Sequence, residues 1–284
     1  MQEDELEKFK KREAVILENV ELWAARVVLN AWGWKNIDGW EREYLRCHDR
    51  FMIVNASRQS GKSSISAVKT LHTMLTVQDA LVLIVAEQRQ SNEDIRKVRE
   101  LCRAYDKYLR KKYDNKLTLV PVSDNITSIE LANGSRVIGL PGNEKVRGYS
   151  APTMVIIDEA AYLSDEVFIG IDPMLEVSQG QLILASTPNG TGGFFAHEWH
   201  NPRYTRFEIP WTKCPRISPE SIESKRIGIG EAYVKQEYEC VFLDELSALF
   251  TEDSLRASMD DTENVFANSM EEIQRAITGE AQLI

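Results

Sequence analysis

The 284-residue sequence predicts an α/β fold, in which a mainly parallel central sheet has helices on both faces. Two observations carry this prediction. From residue 51 onwards, short apolar segments alternate with stretches of helical periodicity. The apolar segments lack polar alternation, which is typical of strands that are buried on both sides. The predicted strands are 51–55, 81–85, 154–157 and 182–185.

The remaining segments are predicted to be helical, apart from one hairpin. Apolar residues recur at helical spacing over 5–31, so this N-terminal segment is expected to be helical. Asn133-Gly134 is a strong turn signal between two short extended runs, which predicts an antiparallel hairpin inserted into the fold. Helical periodicity returns after Trp211, and we expect a small helical subdomain there.

Composition and charge limit the class of protein. The formal net charge is −10, which excludes a surface covered with nucleic acid but permits a local DNA contact. The longest apolar run, 80–86, is far shorter than the ~20 residues of a membrane helix. The acidic N-terminus lacks a signal peptide, and the four cysteines include no CxxC pair. We therefore expect a cytosolic protein with free thiols and no membrane partner.

The strongest local signal is a phosphate-binding loop between the first predicted strand and the helix that follows it. Ala56-Ser-Arg-Gln-Ser-Gly-Lys-Ser63 matches the Walker A pattern, except that Ala56 replaces the first glycine. Gly61 lets backbone N–H groups point at phosphates, Lys62 supplies a charge to the β- and γ-phosphates, and the Ser63 hydroxyl can hold Mg²⁺. The residues predicted to bind the nucleotide are Ser57, Arg58, Gln59, Ser60, Gly61, Lys62, Ser63 and Ser64.

Two acidic residues follow the apolar strand 154–157. A phosphate loop needs a carboxylate at the end of a neighbouring strand, and we expect Asp158 to share Mg²⁺ with Ser63. Glu159 is suited to general-base work on the attacking water. Together the loop and the acids predict a P-loop nucleotide hydrolase of the ASCE type, with ATP and Mg²⁺ as cofactors.

In their order along the chain, the motifs resemble the ATPase domain of the large terminase subunit of tailed bacteriophages, the motor that packages DNA into procapsids. The resemblance covers about 30–250, and the ordered set is far more specific than any single motif. The motifs are Ser57-Arg-Gln-Ser-Gly-Lys-Ser63, Leu140-Pro-Gly-Asn143 with Val146-Arg-Gly-Tyr149, Ile157-Asp-Glu-Ala-Ala161, and Ala185-Ser-Thr-Pro-Asn-Gly190.

The resemblance implies roles for residues beyond the loop and the acidic pair. Arg58 matches the loop arginine that contacts the γ-phosphate, and Arg147 matches the arginine finger that reaches the nucleotide of the adjacent subunit. A guanidinium at either place would offset charge in the transition state. Ser186 and Thr187 match the family's coupling motif. The predicted catalytic residues are Glu159, Arg147, Arg58, Lys62, Ser186 and Thr187.

Two further segments match the family. Asp38-Gly-Trp-Glu41 resembles the adenine-recognition segment, so Trp40 and Glu41 are predicted to contact the base, although the family usually has glutamine where Glu41 stands. A carboxylate accepts from the adenine amino group but cannot also donate to the ring, as an amide does. The helices around 233–238 resemble the lid. The predicted domains are an N-terminal helical and adenine-recognition segment 1–50, a P-loop ATPase core 51–210, a lid 211–250, and a linker or tail 251–284.

The resemblance also implies partners and a location. They are double-stranded DNA, a homo-oligomeric ring, the viral portal or procapsid, the small terminase subunit and the host cytoplasm. Family members normally continue into an RNase H-like nuclease domain, whereas only about 34 residues follow Phe250, without a strand-borne acidic cluster. We therefore expect no nuclease activity from this chain, which is either a fragment or a natural ATPase-only form.

Three alternatives stay open at the level of sequence. The eight basic residues of 96–112 form either a DNA-binding patch or a solvated helix face. A superfamily 2 helicase shares the strand-end acids, but it needs a second motor domain, for which this chain has no room. A scaffold or regulatory module that binds nucleotide without hydrolysing it would have no use for Glu159 as a base.

Overall fold

The computed structural model describes residues 2–143, 146 and 148–243, with side chains from residue 6 onwards. Arg147 and the predicted tail 251–284 lie outside the described residues. Eight strands occur in the described part, and they are β1 (Phe51–Ala56), β2 (Leu81–Ala86), β3 (Ser123–Asn125), β4 (Ser128–Glu130), β5 (Arg136–Pro141), β6 (Met154–Asp158), β7 (Gln181–Ser186) and β8 (Thr205–Ile209).

The mainly parallel sheet predicted from the apolar segments is confirmed. The strand order is β3-β4-β5-β2-β6-β7-β1-β8, and every neighbouring pair from β5 to β8 runs parallel. The predicted hairpin exists, but it is no separate insertion: β4 pairs antiparallel with β5, and β5 continues the central sheet beside β2. The sequence pattern missed β8, because this edge strand alternates half-buried residues with exposed Arg206 and Glu208.

The described helices are α1 (Gln2–Glu18), α2 (Val20–Trp32), α3 (Gly39–Arg46), α4 (Lys62–Thr76), α5 (Gln88–Lys112), α6 (Asp165–Ile171), α7 (Met174–Ser178), α8 (Gly193–Trp199), α9 (Pro219–Gly228) and α10 (Glu231–Glu239). The helical segment predicted over 5–31 is confirmed, and Asn19 divides it into two helices. The Asn19 side chain accepts a hydrogen bond from the Leu22 N–H and so caps a new helix, α2. The predicted periodicity persists across the break because both helices pack on the same core.

Helices cover both faces of the sheet, as expected for strands without polar alternation. Alternate residues of each strand point to opposite faces. Met52 and Val54 of β1 belong to the core beneath α2, α4 and α5, whereas Ile53 belongs to the core beneath α6 and α8. Both faces of the central strands are apolar and buried. Functional side chains in this part of the sheet are therefore expected at the strand ends rather than on its faces.

A third and smaller core lies at the carboxyl-terminal side of the described chain. Ile222 of α9 packs with Val234 and Tyr238 of α10, and Trp211 and Tyr233 cover them. This cluster coincides with the segment predicted as a lid, while the boundaries of the four predicted domains stay a prediction. Within the described ranges, no helix combines the length and the apolar character that crossing a membrane requires.

Candidate active site

The predicted phosphate-binding loop connects the end of β1 to the start of α4. Gly61 has a φ of +97°, a conformation that side chains rarely adopt, and a Cβ atom there would lie 3.1 Å from Arg216 Nη2. Glycine is therefore needed at this position for both backbone and packing reasons. The loop is held at its start by the Ser57 N–H, which donates to the Ile209 carbonyl of β8 over 2.8 Å.

Residues far apart in sequence converge next to this loop. Lys62 Nζ lies 2.9 Å from Glu159 Oε1, and Ser63 Oγ donates to Asp158 Oδ2 over 2.7 Å. Because β1 and β6 both flank β7 and run parallel, their carboxyl ends meet at one edge of the sheet. Lys62 is buried; burial opposes its charge, but Asp158 and Glu159 outweigh that cost and raise the pKa of the ammonium.

Glu159 has an unusual backbone conformation for its residue type. Its φ of 52° places it in the left-handed region, directly after the last residue of β6. Strained backbone of this kind costs of order 1–3 kcal/mol and clusters at functional sites. The turn directs the carboxylate back towards Lys62, into the same pocket.

A cavity of about 540 Å³ opens beside this ion pair. Its walls come from the phosphate loop, the start of α5, the segment after β6, the segment after β7 and α10. The lining residues are Arg58, Lys62, Glu87, Gln90, Glu159, Tyr162, Leu163, Thr187 and Glu237. A cavity of this size, with charged groups along its walls, has the volume of a small-molecule site.

Arg58 and Thr187 are joined through α10. The backbone N–H of Arg58 donates to the Glu237 carbonyl over 2.7 Å, and its guanidinium lies 3.4 Å from the Glu237 carboxylate. Tyr162 donates to the same carboxylate over 3.2 Å, and its hydroxyl lies 3.3 Å from Thr187 Oγ1. Glu237 thus links the loop arginine to the end of β7. Ser186 is fully buried beside Thr187.

The cluster around Asp158 suits a divalent cation. Asp158 Oδ1 is buried and accepts no hydrogen bond from any residue that the structure describes. Carboxylate and hydroxyl oxygens are ligands that Mg²⁺ prefers. The Ser63 hydroxyl is close by, because it donates a hydrogen bond to the other carboxylate oxygen, Asp158 Oδ2. The free oxygen and the serine together therefore fit the predicted ion.

A second aspartate stands next to this cluster. Gln90 Nε2 lies 3.2 Å from both Asp158 Oδ2 and Asp94 Oδ1, and Lys97 Nζ lies 3.0 Å from the latter oxygen. Burial and the charge of Asp158 raise the pKa of Asp94 to about 8. No sequence motif pointed to Asp94 or Gln90, because they lie in an ordinary-looking stretch of a charged helix.

The predicted adenine segment lies behind the phosphate loop. Trp40 is buried in the core, and Glu41 is fully buried with both carboxylate oxygens engaged. One oxygen accepts from the Asp38 N–H over 2.8 Å, and the other accepts from Arg216 Nη2 over 2.8 Å. The same Arg216 nitrogen donates to the Ser60 carbonyl over 2.8 Å. Burial raises the pKa of Glu41, and Arg216 opposes that rise.

The candidate DNA patch on α5 is largely neutralised within the chain. Six of its eight basic side chains form ion pairs with carboxylates at N–O distances of at most 3.9 Å. They are Arg96, Lys97, Arg99, Arg103, Arg110 and Lys112. This pattern favours a solvated helix face over a nucleic-acid contact, since paired charges attract phosphates weakly.

No protein-family model matches the chain. Solved structures of similar architecture include the large terminase ATPase domain of Thermus phage P74-26, with a TM-score of 0.60 and 20% identity over 76% of this chain and 97% of that one. The large terminase of a thermophilic bacteriophage in complex with ADP has a TM-score of 0.57 and 10% identity, over 73% of this chain and 54% of that one. The HK97 bacteriophage large terminase has a TM-score of 0.56 and 12% identity, over 75% of this chain and 54% of that one. These likenesses confirm the predicted resemblance at the level of the fold, and the chain has the P-loop fold of large terminase ATPase domains.

Proposed function

We propose that this chain is the ATP-hydrolysing motor domain of a viral DNA-packaging terminase. The observation that carries the proposal is the convergence of Lys62 and Glu159, which line the cavity, with the neighbouring pair Ser63 and Asp158. A lysine and a hydroxyl at the start of a helix, facing two strand-end acids, are the parts that phosphoryl transfer to water requires. The ADP complex of a large terminase of the same fold supports a nucleotide as the ligand.

In the proposed mechanism, Lys62 changes partner when nucleotide binds. Its ammonium, now 2.9 Å from Glu159, would contact the β- and γ-phosphates and release the glutamate. The freed carboxylate would then accept a proton from the attacking water, as a general base. Ser63 and Asp158 would hold Mg²⁺, which neutralises charge on the phosphate oxygens when it is bound. In this proposal the ion pair with Lys62 keeps Glu159 from acting as a base until nucleotide binds.

Arg58, Ser186 and Thr187 would respond to the γ-phosphate in this proposal. Thr187 is connected by Tyr162 to Glu237, which also holds Arg58. A change in the phosphate contacts of Arg58 or Thr187 would therefore alter the hydrogen bonds that Glu237 of α10 makes. Arg147 is proposed to complete the site of a neighbouring subunit in a ring, a role that rests on the sequence resemblance.

The biological setting is proposed from the same resemblance. It comprises translocation of double-stranded DNA, contacts with the portal or procapsid and with the small terminase subunit, and action in the host cytoplasm. Because most basic side chains of α5 are paired within the chain, DNA is proposed to bind elsewhere or across the assembled ring. Such a local contact is compatible with a net charge of −10.

Phosphate release with and without DNA tests this function. We expect the wild type to hydrolyse ATP and Glu159→Gln to bind it normally while losing about 10²–10⁴ of the rate. Glu166→Gln is the matched control, since it removes an exposed carboxylate outside the cavity and should keep full activity. A specific activity that rises with protein concentration would support an arginine supplied between subunits. If ATP binds tightly but no phosphate is released at any concentration, the non-hydrolysing binding module is correct.

A further inference from the structure

A second buried acid, Asp94, lies close to Asp158, the residue proposed to hold Mg²⁺ with Ser63. Asp94 lies on the second turn of α5 and is 3% exposed, so it is as deeply buried as Asp158. Two buried carboxylates beside each other repel, and a protein interior tolerates them only where hydrogen bonds or cations offset the charge.

The hydrogen bonds around these two aspartates are incomplete. The Gln90 amide bridges the two aspartates at 3.2 Å on each side, and Lys97 pairs with Asp94 at 3.0 Å. One oxygen of each aspartate, Asp94 Oδ2 and Asp158 Oδ1, is buried and receives no hydrogen bond from the described residues. Two unsatisfied buried acceptors on adjacent acids are costly, unless a further donor or cation belongs there.

We propose that Asp94 and Gln90 are positioning residues for the divalent cation of the nucleotide site. Gln90 fixes the Asp158 carboxylate by donating to Oδ2, which leaves Oδ1 for the ion. Asp94 orients the Gln90 amide by accepting its other hydrogen, and its free oxygen can accept from water in the cation's hydration shell. This inference rests on the proposed function, because it assigns these residues to the ion that accompanies the nucleotide.

The role predicts an effect on metal affinity that a purely structural residue would not have. Groups that orient metal ligands typically change affinity by about 10- to 100-fold when they are replaced. Asp94→Asn keeps the size of the side chain and replaces one of its oxygens with an NH2 group, and Gln90→Leu removes the amide that holds Asp158. Glu93→Gln is a matched control, because it removes an exposed carboxylate one residue away that pairs with Arg96 instead.

The experiment measures Mn²⁺ binding to the full chain by electron paramagnetic resonance, with saturating non-hydrolysable ATP analogue. Nucleotide affinity without metal and the thermal midpoint are measured in parallel. We expect Asp94→Asn and Gln90→Leu to weaken Mn²⁺ binding about 10- to 100-fold. Glu93→Gln should bind Mn²⁺ as the wild type does, and the affinity for nucleotide without metal should be unchanged in all three variants.

Two outcomes would overturn the inference in distinguishable ways. If the wild type binds Mn²⁺ with nucleotide and hydrolyses ATP, but both variants bind the ion within twofold of wild type, Asp94 and Gln90 have no positioning role and the proposed function stands. If the wild type itself binds no Mn²⁺ in the presence of nucleotide, the proposed function fails together with the inference. Should Asp94→Asn not fold, Gln90→Leu decides the question, since Gln90 is only half-buried.

Discussion

Arg216 is expected to stabilise the phosphate loop from behind, and replacing it with methionine tests this directly. Its Nη2 lies 2.8 Å from Glu41 Oε1, 2.8 Å from the Ser60 carbonyl and 3.0 Å from Asp38 Oδ2, while the guanidinium stacks over Trp34. Arg216→Met keeps the apolar stem but leaves the fully buried Glu41 carboxylate without a counter-charge.

The magnitude follows from this burial. Removing one partner of a buried ion pair costs about 3–5 kcal/mol, and the lower end applies because the Arg216 side chain is 35% exposed. We therefore expect a loss of about 3 kcal/mol in the free energy of unfolding, measured by urea titration. Glu41→Gln alone should cost about 1 kcal/mol, because the Asp38 N–H and Arg216 donate to different oxygens of Glu41, and glutamine has an NH2 group in place of one of them.

The double variant distinguishes a specific ion pair from two unrelated losses. With Gln at position 41, replacing Arg216 no longer leaves a fully buried charge unpaired, and only the Asp38 carboxylate, which is 14% exposed, loses its partner. The two effects should therefore be less than additive by about 2 kcal/mol. Additive losses would refute the pairing. The ratio of ATP to GTP affinities in Glu41→Gln tests the predicted adenine contact separately, because a side chain that touches the base should change that ratio.

The remaining predictions concern the loop and its link to α10. Gly61→Ala should destabilise the protein by about 1–3 kcal/mol and abolish detectable binding of a fluorescent ATP analogue, because its φ is +97° and its Cβ would crowd Arg216; near-normal binding would contradict the loop geometry. Tyr162→Phe removes the hydroxyl between Thr187 and Glu237, so it should cost at most about 1 kcal/mol in stability yet lower the rate constant for hydrolysis more than nucleotide affinity. A variant in which affinity falls and the hydrolysis rate stays constant would show that Tyr162 only shapes the cavity.

The meeting of the predicted phosphate loop with the two strand-end acids could be expected from the sequence because the signals for both are local. Gly61 and Lys62 follow an apolar strand and open a helix, and the two strand-end acids follow another such strand. Parallel strands bring such ends to one edge whatever their exact order. The features that were missed lack a comparable signal. The edge strand β8 is polar, and the break at Asn19 divides a helical segment whose apolar periodicity continues.

By itself the sequence determined the class of fold, the phosphate loop and the acids opposite it, because apolar periodicity and motif spacing are properties of short segments. Only the tertiary structure decided which charged side chains join them. Glu237, Arg216 and Asp94 come from three separate helices or loops, and nothing in their local sequence distinguishes them from solvated charges. Ion pairs and hydrogen bonds form across distances of a few ångströms, so the partners of a buried charge depend on the packing of the whole chain.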